Sequence, residues 1–158
     1  MEDNDKAFSS RLNAKPELDL LRKLPLLSAL AEKALAEFRD RTETVLFGAD
    51  QTVYRIGDAT CPMYIVLVGK VRLFTSDKYG KRITLAHLTP GEVLGELPDA
   101  GGERCSTTAV AIEESWLIIL DPNNLSYLFS VQPDAALQLI GALEARLRRL
   151  HSLLRTTV

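Results

Sequence analysis

The sequence predicts an α+β fold, a β sandwich or barrel set between helices, on three observations. Residues 16–41 and 121–155 carry leucines at helical spacing. Residues 42–120 break into short apolar or alternating runs separated by Gly48, Gly57-Asp58, Gly69-Lys70, Gly80, Pro90-Gly91 and Gly101-Gly102. Those runs recur at the ~8–12-residue spacing, punctuated by turn signals, that marks an all-β unit. A β jelly roll of about eight strands satisfies the pattern.

The elements follow in order. Residues 1–15 are polar and aperiodic and read as a mobile arm. Pro16-Glu17 opens a helical region, since proline suits a first helical turn and an acidic residue suits the positive helix end. Leu18, Leu21, Leu24 and Leu27 recur near helical spacing, interrupted at Pro25, and Leu30, Ala34, Leu35 and Phe38 continue to about Arg41. Strands fill 42–120. Asp121-Pro122 reads as a cap followed by a first-turn proline, starting a short helix through Phe129. Pro133-Asp134 starts a last helix to about Arg155. In it Ala136, Ile140, Leu143, Leu147, Leu150 and Leu154 alternate spacings of four and three, an unbroken heptad seam, with Leu139 and Leu153 off the seam and free to face the barrel. The seam fits either an amphipathic helix packed on its own barrel or a two-helix homodimer interface. Arg146, Arg148, Arg149 and Arg155 fall off the seam and read as a solvated face.

A chain of 158 residues has room for one domain with a real core. No apolar run approaches the ~20 residues that span a bilayer, so no membrane partner is expected. Met1-Glu2-Asp3-Asn4-Asp5 has no apolar segment behind it and is no secretory signal. Two cysteines, Cys61 and Cys105, make no disulfide framework and fit a reducing cytoplasm. A formal charge of −2 argues against a globally basic nucleic-acid binder. His87 and His151, the only histidines, are too few for a His-rich metal centre. No nucleophile motif and no lysine-bearing Gly-rich phosphate loop is present, so no catalytic residue, metal or cofactor is assigned.

The chemistry concentrates in Gly91-Glu92-Val93-Leu94-Gly95-Glu96-Leu97 and, after a Gly-rich loop, Arg104-Cys105-Ser106-Thr107-Thr108-Ala109. A carboxylate can accept hydrogen bonds from sugar hydroxyls, and a guanidinium can clamp a phosphate with two parallel charge-assisted bonds. Together they suit a small ribose phosphate. The segment resembles the phosphate-binding cassette of cyclic-nucleotide-binding domains, the family of catabolite activator protein-like and kinase regulatory subunit-like sensor domains. The resemblance extends through Thr52–Asp58, a strand with its Gly-Asp turn. It continues through Met63–Phe74, read as a hairpin turning at Gly69, then Gly80–Leu85 and Thr89-Pro90-Gly91.

The resemblance implies a β jelly roll (double-stranded β-helix) with N-terminal helices and a long C-terminal helix, residues 16–158 forming the domain: helices over 16–41, jelly roll over 42–120 and helices over 121–155. It implies a regulatory, non-enzymatic domain that binds a cyclic nucleotide, cAMP or cGMP with cAMP favoured. Glu96 would hold the ribose and Arg104 the phosphate. Gly95 would let the backbone approach closely. Leu97, Cys105 and Thr107 would complete the contacts, Val71 and Leu85 would be pocket walls, and the final helix would cover the base. It also implies a homodimer through that helix and an effector protein of unknown identity. The family's DNA-binding regulators carry a helix-turn-helix after the long helix, and this sequence stops at Val158, so no direct DNA binding is expected. Against the cassette, the second residue after Glu96 is Pro98, which has no N–H for a phosphate, and Asp99 and Glu103 add negative charge. The alternative is a degenerate fold acting as a ligand-free dimerisation or interaction module.

Overall fold

Two antiparallel sheets stack face to face, and helices cover the outer face of one of them. A computed structural model describes residues 10–12, 15–96 and 104–157. Its strands are β1 (Ser10–Leu12), β2 (Thr44–Phe47), β3 (Thr52–Tyr54), β4 (Tyr64–Val68), β5 (Val71–Ser76), β6 (Arg82–Leu88), β7 (Val93–Leu94), β8 (Thr108–Ala111) and β9 (Ser115–Ile119). One sheet has the order β1-β2-β9-β4-β7 and the other β3-β8-β5-β6. The helices are α1 (Leu18–Arg22), α2 (Glu32–Arg41), α3 (Pro122–Val131) and α4 (Asp134–Thr157). This is the expected jelly roll between helices.

Burial explains why β4 reads as a continuous apolar run rather than an alternating one. Tyr64 and Val66 point between the sheets, into a cluster with Phe47, Tyr54, Val71, Leu73, Leu88, Ala109, Ala111 and Leu117. Ile65 and Leu67 point the other way, against Leu21, Leu27, Leu35, Phe38, Leu125 and Leu128 of the helical layer. A strand buried on both faces needs apolar residues at every position. β6, at the edge of the other sheet, has only Leu88 fully buried, and its solvent face carries Arg82 and Thr84.

The N-terminal leucines show how spacing selects local geometry. α1 lasts five residues. Then Leu24 N–H bonds to Leu21 O, Leu27 to Leu24 and Leu30 to Leu27, at 2.9–3.2 Å. These are consecutive i→i+3 turns, and a spacing of three puts Leu21, Leu24, Leu27 and Leu30 on one face, where all are buried. Pro25 is tolerated because this ladder asks for no N–H at its position. At α3 the expected cap is present: an Asp121 carboxylate oxygen accepts from Asn124 N–H at 2.8 Å, with Pro122 in the first turn.

Two expectations are corrected. Ser10–Leu12 lies in the segment read as a mobile arm, yet it pairs with β2, Arg11 opposite Val45. Edge pairing uses backbone groups that every residue carries, so three residues without alternation leave no signal. Met63–Phe74 is not a hairpin. β4 pairs with β7 and β9, β5 with β6 and β8, and the chain crosses between sheets at Val68–Lys70. Ser115 fixes that crossing: its hydroxyl oxygen accepts from Lys70 N–H at 3.1 Å. A short loop joining adjacent strands looks the same in sequence whether it turns within a sheet or across the sandwich.

Candidate functional site

The site forms where the end of β7, the loop after β3 and the start of β8 meet under α4. β3 delivers Tyr54, then turns through Arg55-Ile56-Gly57-Asp58. The turn is closed by Asp58 N–H to Arg55 O at 3.0 Å and by Arg55 N–H to an Asp58 carboxylate oxygen at 2.9 Å. The following loop runs beside residue 105: Gly57 N–H donates to Cys105 O at 2.8 Å, and Cys105 N–H to Asp58 O at 2.9 Å. From the other side, Glu96 N–H donates to Cys61 O at 2.9 Å. One loop, 57–61, therefore holds both the Gly95-Glu96 and the Arg104-Cys105 segments through backbone bonds.

Gly95 is required here. Its φ is +86°, and a Cβ would lie 1.8 Å from Pro62 O. The backbone crosses Pro62 too closely for any side chain. Glu96 is exposed beyond this crossing. Arg104 is also exposed and donates from Nη1 to Gly57 O at 2.8 Å, and no ion pair joins it to Glu96 among the described residues. Cys105 is buried, its thiol donating to Thr60 O at 3.1 Å. The buried Tyr54 hydroxyl lies near Thr107 and the Gly95 backbone, and burial raises its phenol well above its usual range. Leu97 and Pro98 lie outside the described residues.

The two proposed walls take different positions. Val71 is fully buried in the inter-sheet core. Leu85, half-buried on β6, lines a hollow of ≈ 440 Å³ against Arg149, Ser152 and Leu153 of α4.

α4 contributes what the sequence reading missed. Arg146 is half-buried, not on a solvated face: Nη2 donates to Val93 O, and among the described residues its buried Nε has no acceptor. Burial, and then the neighbouring Arg149 charge, hold it below the usual guanidinium range, while Glu92 and Tyr54 oppose that shift. A desolvated cation at the mouth of the Tyr54–Thr107–Gly95 cluster favours an anionic or acceptor-rich neighbour. The missed signal was helical phase: Arg146 is seven residues after Leu139 and eleven after Ala135, both buried, so it shares their face. The off-seam assignment of Leu139 agrees with this, and the seam residues Ile140, Leu143, Leu147 and Leu154 are 53%, 40%, 52% and 61% exposed.

A carboxylate, two guanidiniums, a backbone crossing at Gly95 and hydroxyls from Tyr54 and Thr107 come together here, groups able to meet the hydroxyls and charge of a small phosphorylated sugar. Comparison with known proteins agrees. The sequence profile of the cyclic nucleotide-binding domain matches residues 44–131. The chain belongs to the cyclic nucleotide-binding domain family. It is 34% identical over 128 residues to the "Cyclic AMP receptor protein" of Thermus thermophilus, covering 78% of this chain and 57% of that one. The crystal structure of Thermus thermophilus catabolite activator protein superposes with a TM-score of 0.68 at 31% identity, over 84% of this chain and 62% of that one. A cyclic nucleotide-binding domain from Methylobacillus flagellatus, at 20% identity, shares the fold with a TM-score of 0.69 over 89% of this chain and 82% of that one. The chain thus spans 57% and 60% of the length of the first curated relatives it matches. No described helix is long and apolar enough to cross a membrane.

Proposed function

We propose that this domain is a non-catalytic regulatory sensor that binds a cyclic purine nucleotide. Glu96 accepts from the ribose hydroxyl, Arg104 clamps the cyclic phosphate, Cys105 and Thr107 line the phosphate side, and Arg146 closes the mouth from α4. The observation that carries the reading is the 57–61 loop, which ties the Glu96 and Arg104 segments to one support. The relative named for cyclic AMP makes cAMP the first ligand to test, with cGMP second. The output passes through α4, whose exposed seam forms a homodimer and presents it to an effector protein, in a cytoplasm that keeps both thiols reduced.

Calorimetric titration with cAMP, cGMP and a cyclic dinucleotide tests this. We expect heat with cAMP and a loss of about 2–5 kcal/mol in Arg104→Ala, which leaves the phosphate charge unpaired. No heat and no thermal shift at millimolar ligand overturns it. The second reading, a ligand-free interaction module, draws on the Arg104–Gly57 bond, which satisfies a guanidinium donor within the protein. The same titration separates the two.

A further inference from the structure

The two cysteines are 44 positions apart in sequence and meet at the site. The Cys105 thiol donates to Thr60 O at 3.1 Å, one residue from Cys61. Both cysteines pack in the inter-sheet cluster, and each thiol is near enough to the other to influence its titration. Each lies next to one half of the proposed nucleotide site. Cys61 O accepts from Glu96 N–H, and Cys105 directly follows Arg104. Cys61 is partly open to solvent and Cys105 is buried, so a small oxidant meets Cys61 first and Cys105 is placed to resolve it.

We propose that Cys61 and Cys105 form an intramolecular disulfide when the protein meets a hydroperoxide, and that this bond lowers its affinity for nucleotide. The first step is attack of the Cys61 sulfur on hydrogen peroxide. The O–O bond breaks, Cys61 becomes a sulfenic acid and one water leaves. The Cys105 sulfur then attacks the Cys61 sulfur, the S–O bond breaks, and a second water carries off the Cys105 proton. Two thiols lose two electrons and one peroxide gains them.

The consequence for binding follows from the backbone. A disulfide holds its two sulfurs about 2.05 Å apart, closer than two unbonded thiols can approach. Closing that gap draws residue 105 onto the 57–61 loop and holds Arg104 where its guanidinium caps Gly57 O, turned from a phosphate. Burial raises both thiols, Cys61 to about 12 and Cys105 in the same direction, with Asp58 and Glu96 adding to it. A dithiol without thiolate stabilisation oxidises slowly at neutral pH, and its disulfide, once formed, is less readily reduced than one between low-pKa thiols.

The binding half of this proposal rests on the nucleotide reading, so the experiment reads the bond and the affinity separately. The full chain, reduced and then treated with hydrogen peroxide across pH 7–10, is mapped by non-reducing peptide mass spectrometry and by thiol titration. It is then titrated with cAMP and cGMP. We expect a Cys61–Cys105 peptide, loss of both free thiols at a rate that rises with pH, and affinity reduced by roughly 5- to 150-fold, the range of ordinary site coupling. Dithiothreitol should restore it, and Cys61→Ser should bind alike before and after peroxide. Thiols that stay free, disulfides only between chains, or equal affinity in both states overturns the proposal. Absence of nucleotide binding in either state overturns the functional reading and the binding half here, while the peptide map still decides the bond.

Discussion

Gly95→Ala tests whether the crossing at Pro62 organises the site. The new methyl would lie 1.8 Å from Pro62 O, 2.6 Å from Pro62 C and 2.9 Å from Met63 Cα. An unstrained carbon contact needs about 3.5 Å, so backbone must move by more than about 1 Å. That movement opposes the Tyr64–Leu94 pairing and the Glu96 N–H to Cys61 O bond. Two penalties combine: about 1–2 kcal/mol for a Cβ in the left-handed region and about 1–3 kcal/mol for overpacking. Gly80→Ala separates them. Gly80 has a φ of +80° but nothing within 4 Å of a Cβ, so it should lose only the about 1–2 kcal/mol of backbone strain. Urea denaturation of both variants should show Gly95→Ala less stable than Gly80→Ala by about 1–3 kcal/mol, and cAMP titration should show weakened binding only for Gly95→Ala. Equal losses in the two variants would refute the reasoning.

Three further outcomes are expected. Asp121→Ala removes the cap on Asn124 N–H and should reduce stability by about 0.5–2 kcal/mol in the same urea assay, with cAMP affinity unchanged. Leu147→Glu puts a charge on a half-exposed seam position, so light scattering should give the 17.5 kDa monomer mass while the native chain gives twice that, with circular dichroism unaltered. Folded Cys61 keeps its proton to about 12 rather than to the ordinary 9.0, through burial first and the neighbouring Cys105 thiol second. The folded chain therefore binds a proton that the unfolded chain loses, and this stabilisation is intact below pH 9 and drains as pH rises from there toward 12. Cys61→Ser should flatten the fall of the urea midpoint across that window, leaving the slope due to Tyr54, Cys105 and Tyr127.

The architecture was legible because its determinants are local. Turn glycines, proline positions and the leucine face of residues 21–30 each act on nearby backbone, and the Asp121 cap is a three-residue contact. What escaped depends on partners far along the chain. β1 is created by the exposed edge of β2, and the β4–β5 connection is decided by which neighbours the strands find. The Gly95-Glu96 and Arg104 segments could be matched to a family pattern. Their common support on residues 57–61 could not, because it is made of backbone bonds that no residue type announces. Arg146 was misread for a different reason: the heptad seam was phased on the exposed apolar stripe, and on that phase a barrel-facing arginine looks like surface.

That double phasing is the functional argument about α4. Over the same turns it shows Leu139 and Arg146 to the barrel and Ile140, Leu143 and Leu147 to solvent. A ligand can change a helix only through contacts that differ between bound and free states. Arg146 supplies such a contact, because its bond to Val93 O is the one that a nucleotide under the helix would compete for. Arg149 adds a second, an ion pair of 3.8 Å to Glu92 in the turn that leads into β7. Two arginines thus tether the barrel-facing side of α4 to the segment that carries Gly95 and Glu96. Any rearrangement of that segment reaches the seam within a single helical turn, without a relay through the core. The proposed nucleotide and the proposed second copy would then meet opposite sides of α4, and a charge at Leu147 should weaken the pairing while leaving nucleotide binding in place.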